Sequence, residues 1–382
     1  MNYEGVAISG YGETEYHKKN PKGQLFYITE SVRRAINSAG LKPDDIDGLA
    51  VTSFQLPPDN VTTVAENLGM KINWAFQGLY GGASPIIGVL DAIKAIQSGV
   101  AKAVVCVAAD SFNVEDHMDA MGNFNGTVRD YMSPYGFGGP NGMFGLVQQR
   151  HMYEFGTTRE QLGKLAVTQR QHASLNPNAL LRDPMTMEDY LNARIIADPI
   201  RLYDCVMPCG GGGAVVITTE ELAKNSSKSI KILSGGRNHN AKPNEVINLE
   251  CGWVDYQQEM FSEAGVTHED LDLIHLYDDY PIMELIQLED LGFCKKGEGG
   301  SFIDNKDFSI TGDLPLNTGG GQLSCGQSGA GGGIIGLVEV VRQLMHEGGE
   351  RQVENARLGL ASGFGMVTYG HGLSTSAIIL SN

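Results

Sequence analysis

The chain has 382 residues, 42% of them hydrophobic, enough to bury a large core as one big or two medium units. A net charge of −17 argues against a nucleic-acid ligand, which needs a basic face. No apolar run reaches the roughly 18 residues of a membrane span, the opening MNYEGVAISG has no signal-peptide pattern, and the six cysteines are scattered. These features place the expected protein in a reducing cytoplasm, with buried free thiols. Cys205 and Cys209 form a lone CxxxC, so no metal site is expected.

In chain order, Gly5 to Thr14 predicts a first strand and turn. Ile28 to Ala39 predicts an amphipathic helix, with Ile28, Val32 and Ile36 four residues apart. Gly48 to Thr52 predicts a strand and Thr62 to Leu68 a short helix. A glycine turn and apolar helix follow, GGASPIIGVLDAIKAI from Gly81 to Ile96, then a strand at Ala103 to Ala108.

From Ser111 to about Ile200 the alternation stops. Helices are expected at Met143 to Glu154 and Arg159 to Leu175, inside an insertion capping one face of the core. Ala214 to Thr218 predicts the strand that closes a first half, 1–228. A second half, 229–382, contains GAGGGIIGLVEVVRQL, Gly329 to Leu344, which repeats the earlier glycine–helix phrase. SAGLKPDDIDGLAV (Ser38 to Val51) likewise matches EAGVTHEDLDLIHL (Glu263 to Leu276), and KAVVCVAAD (Lys102 to Asp110) matches ARLGLASG (Ala356 to Gly363). Three matched segments in one order indicate an internal duplication. The expected architecture is α/β, with two mixed sheets and the two apolar helices sandwiched between them. The clustered glycines, Gly210 to Gly213 among them, are assigned to turns and helix starts.

This layout resembles the thiolase superfamily, with its five-layered αβαβα fold, over essentially the whole chain. EFGTTREQLGKLAVTQRQHASLNPNALL in the insertion resembles the SCP2-thiolase or lipid-transfer-protein branch. LPLNTGGGQLSCGQSGAGGG and HLYDDYPIMELIQLEDLGFC resemble two further family segments. The family's nucleophilic cysteine falls at Ala83, with Ser84 beside it, and its two histidines fall at Gln327 and Tyr277. An ordinary thiolate–histidine mechanism therefore lacks its groups.

Tyrosine at 277 resembles the thiolase-like acyl-CoA aldolases of steroid side-chain degradation, which also lack the cysteine. That resemblance implies a retro-aldol lyase acting on a β-hydroxyacyl-CoA, with no cofactor beyond the CoA thioester. It also implies a homodimer and a small DUF35-type zinc-ribbon/OB-fold subunit. These enzymes usually carry a second tyrosine where this chain has Gln327.

On this reading Tyr277 carries the proton, and Gln327 and Asn317 are candidate donors to an enolate oxygen. Asn317 equally suits a turn brace. His371 and Tyr369 are further candidates in a C-terminal turn, and Asp278 is a candidate for orienting Tyr277. Ala83, Gly320 and Gly321 are expected to shape the substrate pocket, as are Tyr135 and Asn141 of the insertion, which otherwise serve turn structure. Two alternatives stand beside the lyase. One is an atypical thiolase or acyltransferase on a β-ketoacyl-CoA, using Ser84 (otherwise a helix cap) or Cys325 (otherwise a small buried residue). The other is a non-catalytic subunit of a heteromeric complex.

Overall fold

The computed structural model describes residues 3–19, 22–122, 125–137, 139–224, 226, 228–368 and 371–382. The first half runs β1 (Val6–Glu13), α1 (Gln24–Ser38), β2 (Gly48–Thr52), α2 (Val61–Leu68), β3 (Trp74–Gly78), α3 (Ser84–Gln97) and β4 (Ala103–Ser111). The insertion follows as α4 (Val114–Gly122), α5 (Pro140–Phe155), α6 (Arg159–Ser174), α7 (Met187–Asn192) and a hairpin of β5 (Ile195–Ala197) and β6 (Ile200–Arg201). After it come β7 (Gly210–Thr219), α8 (Glu220–Ala223), β8 (Ile230–His239), α9 (Gln257–Ala264), β9 (Leu273–His275) and α10 (Pro281–Asp290). The chain ends with α11 (Gly299–Asn305), α12 (Gly321–Cys325), α13 (Gly332–Leu344), β10 (Leu358–Thr368) and β11 (His371–Ser381).

Local chemistry sets the helix ends. The Asn60 side chain accepts from the Thr62 N–H at 2.9 Å to open α2, and Gly69, at φ +65°, closes it. Thr158 and Gln161 form a reciprocal capping box at α6. Prolines stand in the first turns of α3, α5 and α10, where a missing N–H costs nothing.

The strand order is β3-β2-β4-β7-β1-β8-β11-β10-β9. The two expected sheets are thus one continuous sheet. The seam is a short antiparallel ladder, Ala7 to Lys231 and Ile8 to Ile230, which pairs two edges that would otherwise present bare N–H and C=O groups. Within each half the pairing repeats. β4 is parallel to β2 and antiparallel to β7, as β10 is parallel to β9 and antiparallel to β11. Leu316 makes a lone parallel bridge to Ile274, where β3 pairs with β2 in the first half.

Helix α1 packs outside β1, β4 and β7, while α3 and α13 each touch strands of both halves. Every residue of α13 is buried, and in α3 only Asp91, Lys94 and Gln97 are not. On the outer side of the second half, Met143, Phe144, Leu162 and Leu165 of the insertion pack with Ile282, Leu285 and Ile286 of α10 in one core. The result is the αβαβα layering that the thiolase resemblance implied, with the two halves of the one sheet as the β layers on either side of α3 and α13.

Several boundaries differ from expectation. Helix α1 begins at Gln24, β3 was not foreseen, and Gly210–Gly213 lie in β7 rather than in a turn. Packing explains the glycines: a Cβ on Gly211 would lie 2.2 Å from the Tyr16 ring, and one on Gly212 would lie 2.2 Å from Ala109 Cβ.

Candidate active site

The segment after β9 continues as an extended loop before Pro281 opens α10. Side chains replace the sheet ladder along it. Asn317 Oδ1 accepts from the Leu276 N–H at 2.8 Å, and its Nδ2 donates to Leu276 O at 3.1 Å. Gln287 of α10 clamps the next residue: its Nε2 donates to Tyr277 O at 2.7 Å, and its Oε1 accepts from the Tyr277 N–H at 3.1 Å. Ser362 Oγ also accepts from the Tyr277 N–H, at 3.1 Å. The backbone of Tyr277 is therefore fixed on both sides.

Its phenol lies over the turn that starts α3. A Cβ on Gly82 would fall 2.1 Å from Tyr277 Cε2 and 2.6 Å from its hydroxyl. Gln327, in the matching turn before α13, has Nε2 at 3.4 Å from the phenol oxygen and 3.3 Å from Gln322 Oε1. The two helix starts touch, since a Cβ on Gly333 would lie 2.1 Å from Gly82 O. First-turn N–H groups have no partner within their helix, so both starts present positive potential here. The amide N–H of Gln327 donates to the phenol oxygen, which leaves the phenol proton for another acceptor.

Tyr277, Gln327, Gly81, Gly82 and Asp279 line a cavity of about 450 Å³. Its other walls are mainly apolar, including Phe54, Phe112, Phe144, Ile196, Phe364 and Met366, which suits an acyl chain. Burial, then the charge of Asp279, pushes the Tyr277 phenol far above its usual range, so it stands protonated. Asp278 accepts from the Gln322 and Leu323 N–H groups at 2.9 and 3.0 Å, at the start of α12. Burial nevertheless pushes its carboxyl up to about 7, against those two hydrogen bonds.

The other expected residues divide sharply. Asn317 is fully buried, with Nδ2 also committed to Gln169 and Glu284, so it braces its turn and does not face the cavity. Ser84 is buried with Oγ accepting from the Tyr80 N–H at 2.7 Å; it closes the turn behind it and neither caps α3 nor meets the cavity. Cys325 donates to Gly319 O at 3.0 Å inside a separate small core with Tyr16 and Cys209, and burial raises its thiol well above the usual range. Both routes to an acyl-enzyme therefore lack an accessible nucleophile.

Ala83 is buried, and its carbonyl accepts from Ser376 Oγ at 3.0 Å. Gly320 packs on Ala173 and Gly321 on Asp278 and Gln169, so neither lines the cavity. Tyr135 is 90% exposed and stands away from it. Asn141 does line it, accepting from the Tyr280 hydroxyl at 2.6 Å. Tyr369 and the side chain of His371 lie outside the described residues, although the His371 backbone opens β11.

Sequence reasoning missed Gly81, Gly82, Asp279 as a cavity wall, and His117. The missing signal for Gly82 was the position itself. It stands one residue before Ala83, and its lack of a Cβ makes room for a phenol that is distant in sequence.

Residues 241–382 match the family model of the thiolase C-terminal domain-like family. The chain is 31% identical to a steroid side-chain-cleaving aldolase of Thermomonospora curvata, with 98% of this chain and 97% of the relative covered. It is 32% identical to a 17-hydroxy-3-oxo-4-pregnene-20-carboxyl-CoA lyase of Mycobacterium tuberculosis, with 98% of each covered. The solved Ltp2-ChsH2(DUF35) aldolase superposes with a TM-score of 0.86 at 29% identity, over 99% of this chain and 97% of that one. With relatives above 30% identity aligned from end to end around a cavity that holds a buried phenol, the chain belongs to the thiolase superfamily, in its branch of acyl-CoA aldolases and lyases.

Proposed function

We propose that the chain cleaves a β-hydroxyacyl-CoA by retro-aldol chemistry into a shorter acyl-CoA and a ketone or aldehyde, with Tyr277 as the donor that meets the enolate. The carrying observation is the phenol packed on Gly82, at the helix start where an attacking side chain would otherwise stand. A protonated phenol with its oxygen already bonded to Gln327 offers its proton to the thioester oxygen as charge develops there. The step calls on no metal or cofactor beyond the CoA thioester. The apolar walls and the relatives' names favour a bulky, steroid-like acyl group.

The test uses 17-hydroxy-3-oxo-4-pregnene-20-carboxyl-CoA as probe. The lyase releases a ketone without consuming free CoA, and no acyl-enzyme forms. Tyr277→Phe lowers kcat by roughly 10²–10⁴-fold, while Ser84→Ala keeps the activity. A dead Ser84→Ala variant together with an acylated protein mass would refute the lyase.

The same reading extends to partners. Val114 and Leu202 at the cavity rim and Ile195 beside them are exposed apolar side chains, a surface suited to a DUF35-type subunit like that in the similar aldolase. Co-expression and co-purification with a small DUF35 protein tests this. A homodimer through β3 is consistent with that strand's place at the sheet edge, and a cytoplasmic location with the free thiols.

A further inference from the structure

The retro-aldol step needs a group to accept the β-hydroxyl proton, and Tyr277, itself protonated, does not supply one. Most polar side chains on the cavity wall are poorly suited. Asp279 Oδ1 has no hydrogen-bond partner among the described residues, but burial and then the charge of Asp278 raise its carboxyl well above the usual range and favour the acid form. Burial pushes the Cys205 thiol up to about 12. Gln327 and Asn141 are amides, and Arg194 is a cation without an acceptor.

His117 differs from all of these. It stands on α4, which begins three residues beyond β4, and it lines the same cavity. Its Nδ1 is buried with no hydrogen-bond partner among the described residues. Burial holds the ring in its neutral form, with the pKa lowered to about 4. The ring is T-packed on Phe112, with centroids 5.6 Å apart. Phe112 in turn lies against Gly329, where a Cβ would come within 2.6 Å of its ring, and Gly329 is two residues past Gln327. Asp110 locks this arrangement, accepting from the Ala330 N–H at 2.9 Å and from the Phe54 and Gln55 N–H groups at 3.1 and 3.0 Å. The first half thus brings a neutral imidazole, its Nδ1 unpaired among the described residues, to the wall of a cavity into which the second half brings a phenol.

We propose that His117 is the proton acceptor of the cleavage step, an assignment that rests on the lyase reading. Its imidazole takes the β-hydroxyl proton. The oxygen's electrons form the carbonyl of the leaving ketone or aldehyde as the Cα–Cβ bond breaks. That bonding pair passes into the thioester as an enolate, whose oxygen Tyr277 hydrogen-bonds. The imidazolium then returns the same proton to the α-carbon, which gives the shorter acyl-CoA and restores both residues. One bond breaks, one proton moves from oxygen to carbon, and no oxidant or second reactant is needed.

The experiment takes the full chain, with its DUF35-type subunit where one co-purifies, and the pregnene-carboxyl-CoA probe. His117→Ala and His117→Gln are expected to lose roughly 10²-fold or more in kcat with little change in KM. Both keep the wild-type melting temperature, and added imidazole restores turnover to His117→Ala but not to His117→Gln. Wild-type kcat in His117→Ala overturns the assignment and leaves the lyase intact. So does a loss confined to His371→Ala, which would move the acceptor to β11. A wild-type protein that releases no ketone from the probe removes the lyase reading itself, and this assignment with it.

Discussion

Gly82 and Tyr277 are far apart in sequence and share one small space. A methyl on Gly82 would overlap the ring, so Gly82→Ala must displace the phenol by about an ångström. The expected result is a fall of about 10²-fold in kcat with a loss of roughly 1–3 kcal/mol in stability, read by steady-state kinetics beside chemical denaturation. Single-residue chemistry was partly legible in the sequence. Tyr277 and Gln327 could be singled out because the resemblance placed both at family histidine positions. Ser84, Cys325 and Asn317 sit in the right glycine-rich turns, but each side chain points away. Ser84 bonds back to the Tyr80 N–H, Cys325 donates to Gly319 O, and Asn317 fills the gap left where the ladder stops after β9. A turn's sequence gives its shape; which way a hydroxyl or thiol faces depends on the partner that the rest of the fold brings near it. His117 carried no signal at all, since a histidine on a polar helix suggests a solvated face until the surrounding cavity is known.

At the scale of elements, the central helices are held by close approach. A Cβ on Gly336 of α13 would lie 2.4 Å from His275 Nδ1, so the end of β9 presses directly on the helix backbone. Neither nitrogen of His275 has a partner among the described residues, and burial lowers its pKa to about 4. The ring is neutral when folded, whereas the unfolded chain takes up its proton near pH 6.5. Its contribution to stability is therefore full above that pH and is lost as the pH falls toward 4. Going from pH 7.5 to pH 5, wild type should lose about 2 kcal/mol more stability than His275→Leu, as measured by chemical denaturation at both pH values. The matching acid of α13 behaves differently. Burial alone would raise the Glu339 carboxyl, but Arg342 and Arg351 outweigh it and hold it well below the usual range. Both copies of the repeated phrase carry an acid and a base; in α3 the pair Asp91 and Lys94 stays near the surface, where Asp91 also meets Arg237, and in α13 the pair Glu339 and Arg342 is buried and also tied to Glu13 and Arg351. The duplicated sequence set the helices, and their unequal surroundings set the charges' roles.

For the whole molecule, β3 is the open question of assembly. It pairs on one side only, and Leu79 and Tyr80 beyond its end are 47% and 39% exposed. If two copies join there, Leu79→Glu should halve the mass seen by light scattering, because a desolvated carboxylate at such a seam has no partner. The duplication, the α/β class, the buried central helices and the capping role of the insertion all followed from apolar periodicity and matched segments, which are local properties of the chain. The tertiary structure decided three further things. It joined the halves into one sheet through the pairing of β1 with β8, placed Gly210–Gly213 in strand by pairing them with β4, and assembled the cavity from both halves. Each depends on which distant surfaces meet. Hydrophobic patterning selects elements and the faces they bury, but contact between a phenol, a glycine and an imidazole arises only once those faces have packed.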